Sequence, residues 1–168
     1  MKAIELMSSR SQDIKYFLEP EDFGFVVDNT PLVAIDFVVT DNKSILVGKR
    51  INRPAKNMFF VPGGRICKGE SFLSAFGRIS ETEIGENLSP ESCRFFGIFD
   101  HFYPNSAVSE DITTHYTVLA HVVQIDEHNL DISKMFDQHS EFEMMEISEI
   151  LASNDVHENT KVYARLLL

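Results

Sequence analysis

Residues 71–84 constrain this chain more than any other segment. Phe72, Ala75, Phe76 and Ile79 recur at i, i+3, i+4 and i+7, the spacing of one face of an α-helix. Gly85 follows at a plausible C-terminal cap. Just upstream, residues 58–62 read as a short strand ended by Gly63-Gly64. A strand, a glycine loop and an amphipathic helix in that order need a second layer to cover the helix stripe. Glu83 lies on that same stripe, at i+4 from Ile79, whereas Glu81 points to the opposite side. A carboxylate on a buried stripe is costly unless it is paired or metal-bound. The plainer alternative is that the stripe leaves the core at the helix end and Glu83 is exposed.

The rest of the chain alternates between the two periods. Pro20-Glu21-Asp22 reads as the start of a short helix, with acidic residues in its first turn. Residues 32–40 (LVAIDFVVT) read as a mostly buried strand, and Asp41-Asn42-Lys43 as a turn into a hairpin partner at 44–48. Strands are also expected at 94–102, 114–124 and 142–147, a polar loop at 103–113, and an apolar helical face at 162–168. Strict βαβ alternation is absent. The expectation is therefore an α+β fold, a sheet sandwiched between helices. Residues 1–16 are polar and weakly patterned and are expected to form an N-terminal arm, with 17–168 as a single domain.

The net charge of −11 disfavours nonspecific binding to nucleic acid or to an anionic membrane. It also means that a phosphorylated ligand needs a local cluster of cations or a metal. No apolar run approaches the ~20 residues of a membrane span, and the N-terminus lacks the pattern of a secretory signal. Two cysteines, Cys67 and Cys93, make neither a disulfide framework nor a zinc site. A reducing cytoplasm fits that usage.

Several residues carry chemistry. Gly63-Gly64 permits close backbone approach and can offer a carbonyl to magnesium, a hard cation that prefers oxygen; a plain turn is the alternative. Glu70 either supports such a site or is an acidic residue favourable at a helix N-terminus. Arg78 either pairs with Glu70 and fixes the loop or stays exposed. Arg50, Arg53 and Arg65 concentrate within 16 residues of a chain otherwise poor in positive charge, and their forks suit a diphosphate. Asp36 interrupts an apolar strand. It needs partners if buried, a sugar hydroxyl being one candidate, or water if its strand is an edge. His101 and Tyr116 either reach a shared pocket or are core residues with satisfied polar tips. Gln138 offers an amide oxygen, and His139 titrates in the range of a general base, although a histidine in an acidic loop is often only solvated surface.

The run 64–85 resembles the Nudix box, in which Gly, Glu and an Arg-Glu-rich helix gather carboxylates around magnesium. Gly64, Glu70, Arg78, Glu83 and Gly85 fall at its spacing, but Ile79 and Thr82 stand where it asks for Glu. Residues 17–165 are similar to the GDP-mannose mannosyl hydrolases, a divergent Nudix family that also lacks those two carboxylates. The likeness rests on Thr30-Pro31-Leu32-Val33, Gly48-Lys49-Arg50, Asn52-Arg53-Pro54-Ala55, Phe60-Val61-Pro62-Gly63-Gly64-Arg65, His101-Phe102-Tyr103, Thr113-Thr114-His115-Tyr116, Gln138-His139 and Asp155-Val156-His157.

This resemblance implies a Nudix fold, a homodimer, and magnesium-dependent hydrolysis of GDP-mannose to GDP and mannose, with inverting attack at the sugar carbon. It implies one magnesium held by the Gly63 carbonyl, Glu83, Gln138 and the substrate diphosphate. His139 would be the general base. Arg50, Arg65 and Tyr116 would stabilise the leaving diphosphate. Asp36 and His101 would contact the sugar, Arg78 would support the site, and Phe17 would stack on guanine. Competing expectations are a Nudix pyrophosphatase that cuts at phosphorus and a noncatalytic nucleotide-sugar binding module.

Overall fold

The computed structural model describes residues 18–128 and 142–168. The expectations for the arm, Phe17, Gln138 and His139 lie outside the described residues.

Helix α1 (Pro20–Asn29) begins with proline at its first turn, where a missing N–H costs nothing, and with Glu21 and Asp22 beside the positive end of its dipole. Strand β1 (Leu32–Thr40) follows, then β2 (Ser44–Lys49), β3 (Phe59–Phe60) and β4 (Gly63–Arg65). Helix α2 (Phe72–Ile84) is capped at both ends. The Ser71 hydroxyl accepts from the Ser74 N–H at 3.1 Å, and Gly85 takes a left-handed φ of 79° that a side chain would resist. Strands β5 (Arg94–Tyr103) and β6 (Thr114–Gln124), the short helix α3 (Ile125–His128), strand β7 (Phe142–Glu146) and helices α4 (Ile147–Ala152) and α5 (Glu158–Leu167) complete the described chain.

The sheet runs β3-β2-β1-β6-β5, with β4 paired to β1 and β7 to β2. It is mixed: β1 runs parallel to β6 along its whole length, whereas β4 and β2 pair with β1 antiparallel. Because side chains alternate along a strand, β1 feeds two cores. Ile35, Phe37 and Val39 pack on Ala75, Phe76 and Ile79 of α2, with Phe37 and Phe76 edge to face at 4.9 Å. Val38, with Ala120 and Val122 of β6, packs on Ile150, Tyr163 and Ala164 of α4 and α5. Helices therefore cover both faces of the sheet, the expected sandwich.

Four local expectations change. The strand at 58–62 is only Phe59–Phe60, and Gly63–Arg65 is itself a strand rather than a turn, because β1 offers it a pairing edge. The hairpin of β1 with β2 is paired only at Thr40↔Ile45, since the same edge of β1 pairs with β4 at Ala34–Asp36. Phe72, at the first turn of α2, keeps 38% of its surface exposed. The last helix does not bury residues 162–168 as an apolar face. Thr160, Tyr163 and Ala164 share its inner face by i, i+3, i+4 spacing, while Val162 and Leu166 face outward.

Candidate functional site

A cleft of about 390 Å³ opens where β2, β3, β4 and α2 meet, and Arg50, Phe60, Gly63 and Glu83 line it. The close approach at Gly63 is built into the β1–β4 pairing. The Phe37 N–H donates to the Pro62 carbonyl and the Ile66 N–H to the Val33 carbonyl, both at 2.9 Å. Antiparallel hydrogen-bonded pairs alternate with non-bonded ones, so Asp36 and Gly63 form a non-bonded pair. The Gly63 carbonyl consequently points away from β1. A Cβ at Gly63 would collide with Asp36 Oδ1 and come within 2.6 Å of the Ile35 carbonyl, so only glycine fits.

Asp36 is on a central strand, not an edge, and its side chain is 16% exposed. The Tyr163 hydroxyl donates to its Oδ2 at 2.9 Å. The same hydroxyl lies 3.3 Å from His101 Nε2, and His101 Nδ1 lies 4.0 Å from Asp36 Oδ2. Burial pushes the Asp36 carboxyl up to about 7, against the Tyr163 hydrogen bond and the Arg50 charge, and the Glu83 charge adds to the rise. Burial, helped by the charge of His157, brings His101 down to about 4. His101 is therefore neutral near pH 7, with its Nε2 against the Tyr163 hydroxyl.

The two arginines stack on different rings. Arg50 lies over the Phe60 ring at 5.3 Å, and His157 stacks on that ring at 4.5 Å. Arg65 lies over Phe23 of α1 at 4.1 Å. Burial raises the Tyr116 phenol above its usual range, while the charges of Arg50 and Arg65 oppose the rise and that of Asp36 adds to it. Those couplings put Arg50, Arg65, Asp36 and Tyr116 within one electrostatic neighbourhood. Arg53 instead pairs with Glu110 across two loops.

Helix α2 holds the loop from beneath. Arg78 donates from Nε to Glu70 Oε1 at 2.6 Å and from Nη2 to Glu70 Oε2 at 2.8 Å, a bidentate fork. Nη2 also donates to the Arg65 carbonyl at 3.0 Å, and the Cys67 N–H donates to Glu70 Oε2 at 3.1 Å. Burial pushes the Glu70 carboxyl up, but the Arg78 fork and the Cys67 N–H outweigh it and hold it below its usual range. The loop-fixing alternative for Arg78 is thus the observed geometry. Ile79 is 1% exposed in the core, and the Thr82 hydroxyl donates to the Arg78 carbonyl at 2.8 Å. Neither position presents an acid. Glu83, half-buried, is the carboxylate that lines the cleft.

Among the described residues, no group of three His, Cys, Asp or Glu is arranged to hold a metal. The donors at hand are the Glu83 carboxylate and the outward Gly63 carbonyl. Both are oxygen atoms, which suits a hard divalent cation that completes its shell from a ligand's phosphates. Sequence reasoning missed Tyr163, Tyr103 and Phe60. Tyr103 accepts from Asn159 Nδ2 at 3.2 Å, and burial pushes its phenol up to about 12. A tyrosine on the inner face of a helix, whose hydroxyl must find a partner, was the available signal for Tyr163.

The sequence pattern of the NUDIX domain matches residues 30–166. The Low-salt glycan biosynthesis protein Agl8 of Haloferax volcanii is 36% identical over 126 residues, which cover 75% of this chain and 78% of that protein. The fold matches the MutT NUDIX hydrolase from Burkholderia pseudomallei with a TM-score of 0.61 at 16% identity, over 83% of this chain and 100% of that one. It also matches the NUDIX domain of Shewanella oneidensis NrtR, solved in complex with ADP ribose, with a TM-score of 0.55 at 14% identity, over 89% and 90% of the two chains. With the family pattern spanning most of its length on the corresponding fold, this chain belongs to the Nudix hydrolase family.

Proposed function

We propose that this chain hydrolyses GDP-mannose, and related GDP-hexoses such as GDP-glucose, to GDP and the free sugar, with water attacking the anomeric carbon and inverting it. One observation carries this reading: α2 contributes a single carboxylate, Glu83, to a cleft shared with Arg50, because Ile79 and Thr82 are turned to packing and to a helix carbonyl. A site so poor in carboxylates suits stabilising a departing diphosphate better than activating water at phosphorus. The similarity to a glycan biosynthesis protein supports a nucleotide-sugar substrate.

In this reading Glu83, the Gly63 carbonyl and Gln138 hold one magnesium ion. When bound, the ion supplies positive charge to the leaving diphosphate. Arg50 and Arg65 stabilise the same developing charge, and Tyr116 donates to it. Asp36 and His101 hold the sugar, and Arg78 keeps the loop in place through Glu70. His139 accepts a proton from the attacking water on the opposite face, the division of labour seen in inverting glycosidases. Phe17 stacks on guanine, and the working unit is a homodimer.

The test is hydrolysis of GDP-mannose with magnesium in ¹⁸O-water, with products read by mass spectrometry. Label in free mannose with unlabelled GDP is expected. Label in GMP or mannose 1-phosphate would instead make the chain a pyrophosphatase. Saturable binding without turnover would make it a binding module.

A further inference from the structure

Asp36 on β1 and His101 on β5 are on strands separated by β6, and they do not bond each other directly. His101 Nδ1 is 4.0 Å from Asp36 Oδ2, too long for a hydrogen bond. What joins them is Tyr163, on α5, which is fully buried. Its ring is packed edge to face on Phe99 at 4.9 Å and tilted on Phe96 at 6.1 Å, so the hydroxyl is delivered to one point. There it donates to Asp36 Oδ2 at 2.9 Å and meets His101 Nε2 at 3.3 Å. A phenol has one proton. With Asp36 ionised and that proton given to it, the phenol oxygen can only accept from His101, which fixes the imidazole as the Nε2–H tautomer and leaves Nδ1 a bare acceptor. The carboxylate is divided in the same way. Oδ2 is held by Tyr163, and Oδ1 lies against the space that Gly63, which lines the cleft, leaves by having no Cβ.

We propose that Tyr163 is a positioning residue for sugar recognition, whose buried hydroxyl locks Asp36 and His101 into one unit that presents Asp36 Oδ1 and His101 Nδ1 as paired acceptors for sugar hydroxyls. The proposal rests on Asp36 and His101 facing the sugar. Two acceptors at a fixed separation select for two hydroxyls at a matching separation, and a site built on specific hydrogen bonds discriminates strongly between stereoisomers. Burial and the neighbouring Asp36 hold the Tyr163 phenol far above its usual range, so it remains a donor throughout the pH range of interest.

The experiment pairs a variant-free measurement with a cycle of substitutions. Long-range ¹H–¹⁵N spectra of the free protein, recorded above pH 7 so that Asp36 is ionised, are expected to show His101 as neutral Nε2–H, and an Nδ1–H tautomer would overturn the proposal. Tyr163→Phe keeps the ring and its packing and removes only the hydroxyl. It is expected to lose the single tautomer, to lower kcat/KM for GDP-mannose about tenfold, and to bring the GDP-mannose to GDP-glucose ratio toward one. Affinity for GDP, which has no sugar, should stay within about twofold of wild type. In an Asp36→Ala background, Tyr163→Phe should cost nothing further, because a residue that acts through Asp36 has nothing left to position. Additive losses, or an unchanged sugar ratio, would overturn the proposal. If the wild type releases no mannose, the functional reading fails on its own, and the His101 tautomer and its response to Tyr163→Phe still decide whether the lock exists.

Discussion

The two faces of β1 are made from one nine-residue strand and serve opposite ends. Ile35, Phe37 and Val39 lie against α2 in an apolar cluster. Ala34, Asp36 and Val38 lie on the other face, where Asp36 meets Tyr163 and His101. Both faces are buried, yet one yields stability through apolar burial, and the other spends part of that stability on keeping polar groups in place. A β-strand alternates its sides at every residue, so a rigid wall and a reactive wall can share a backbone. Changes on the polar wall should move activity and spare the fold. Changes on the apolar wall should do the reverse.

The largest expected effect is at Glu83, at the inner end of α2. Glu83→Gln should lower the rate of GDP-mannose turnover by about a hundredfold to a thousandfold, comparable to removing one preorganised electrostatic group from an active site. Its melting temperature should remain close to wild type. Unfolding on replacement would assign Glu83 to structure rather than to the cleft. Phe76→Ala tests the apolar wall. Removing a buried phenylalanine costs about 3–5 kcal/mol, to be read as a lower denaturation midpoint, while activity per folded molecule should change far less.

Arg78→Lys sharpens the contrast, because Arg78 stands between the walls. Lysine keeps the charge but cannot reproduce the fork to Glu70 and the Arg65 carbonyl. The expected outcome is a loss of about 1 kcal/mol in chemical denaturation and a fall of roughly tenfold in kcat, from looser placement of the loop. An unchanged kcat with lowered stability would make Arg78 purely structural.

The division between walls also explains what was legible beforehand. Strand β1, helix α2 and its cap at Gly85 could be read from the sequence because local periodicity and tertiary packing demand the same residues there. Gly63 was recognised as a close approach, but its strand pairing was not, because three residues carry no periodic signal and depend on β1 being present. Asp36 was visible as a misfit in an apolar strand. Its partners were not, since Tyr163 lies 127 residues away and meets it only through the packing of α5 across the sheet. For the same reason, the expectation of an apolar face at 162–168 misjudged the last helix. Its inner face includes Thr160 and Tyr163, whose polar groups say little about burial until the site beneath them is assembled.

The net effect of the pair on wild-type stability is the smallest expected, and the most diagnostic, because the two buried groups of the polar wall differ in sign. In metal-free and substrate-free protein, Asp36 is raised from 3.8 to about 7, so the folded state holds its proton more tightly than the unfolded chain. Its contribution to stability is full below 3.8 and is lost as the pH rises toward 7. His101 is lowered from 6.5 to about 4, so its contribution is full above 6.5 and is lost as the pH falls toward 4. Between about 4 and 6.5 the two slopes oppose each other, each at most about 1.4 kcal/mol per pH unit. The pair should therefore leave stability nearly flat across that window. Asp36→Asn removes the falling slope, so its stability relative to wild type should rise with pH. His101→Asn removes the rising slope, so its relative stability should fall with pH. Urea midpoints measured at half-unit intervals between pH 4 and 7 give both curves. Parallel curves for the two variants would mean that neither group is held away from water in the folded state. The polar wall would then be solvated surface rather than a preorganised site.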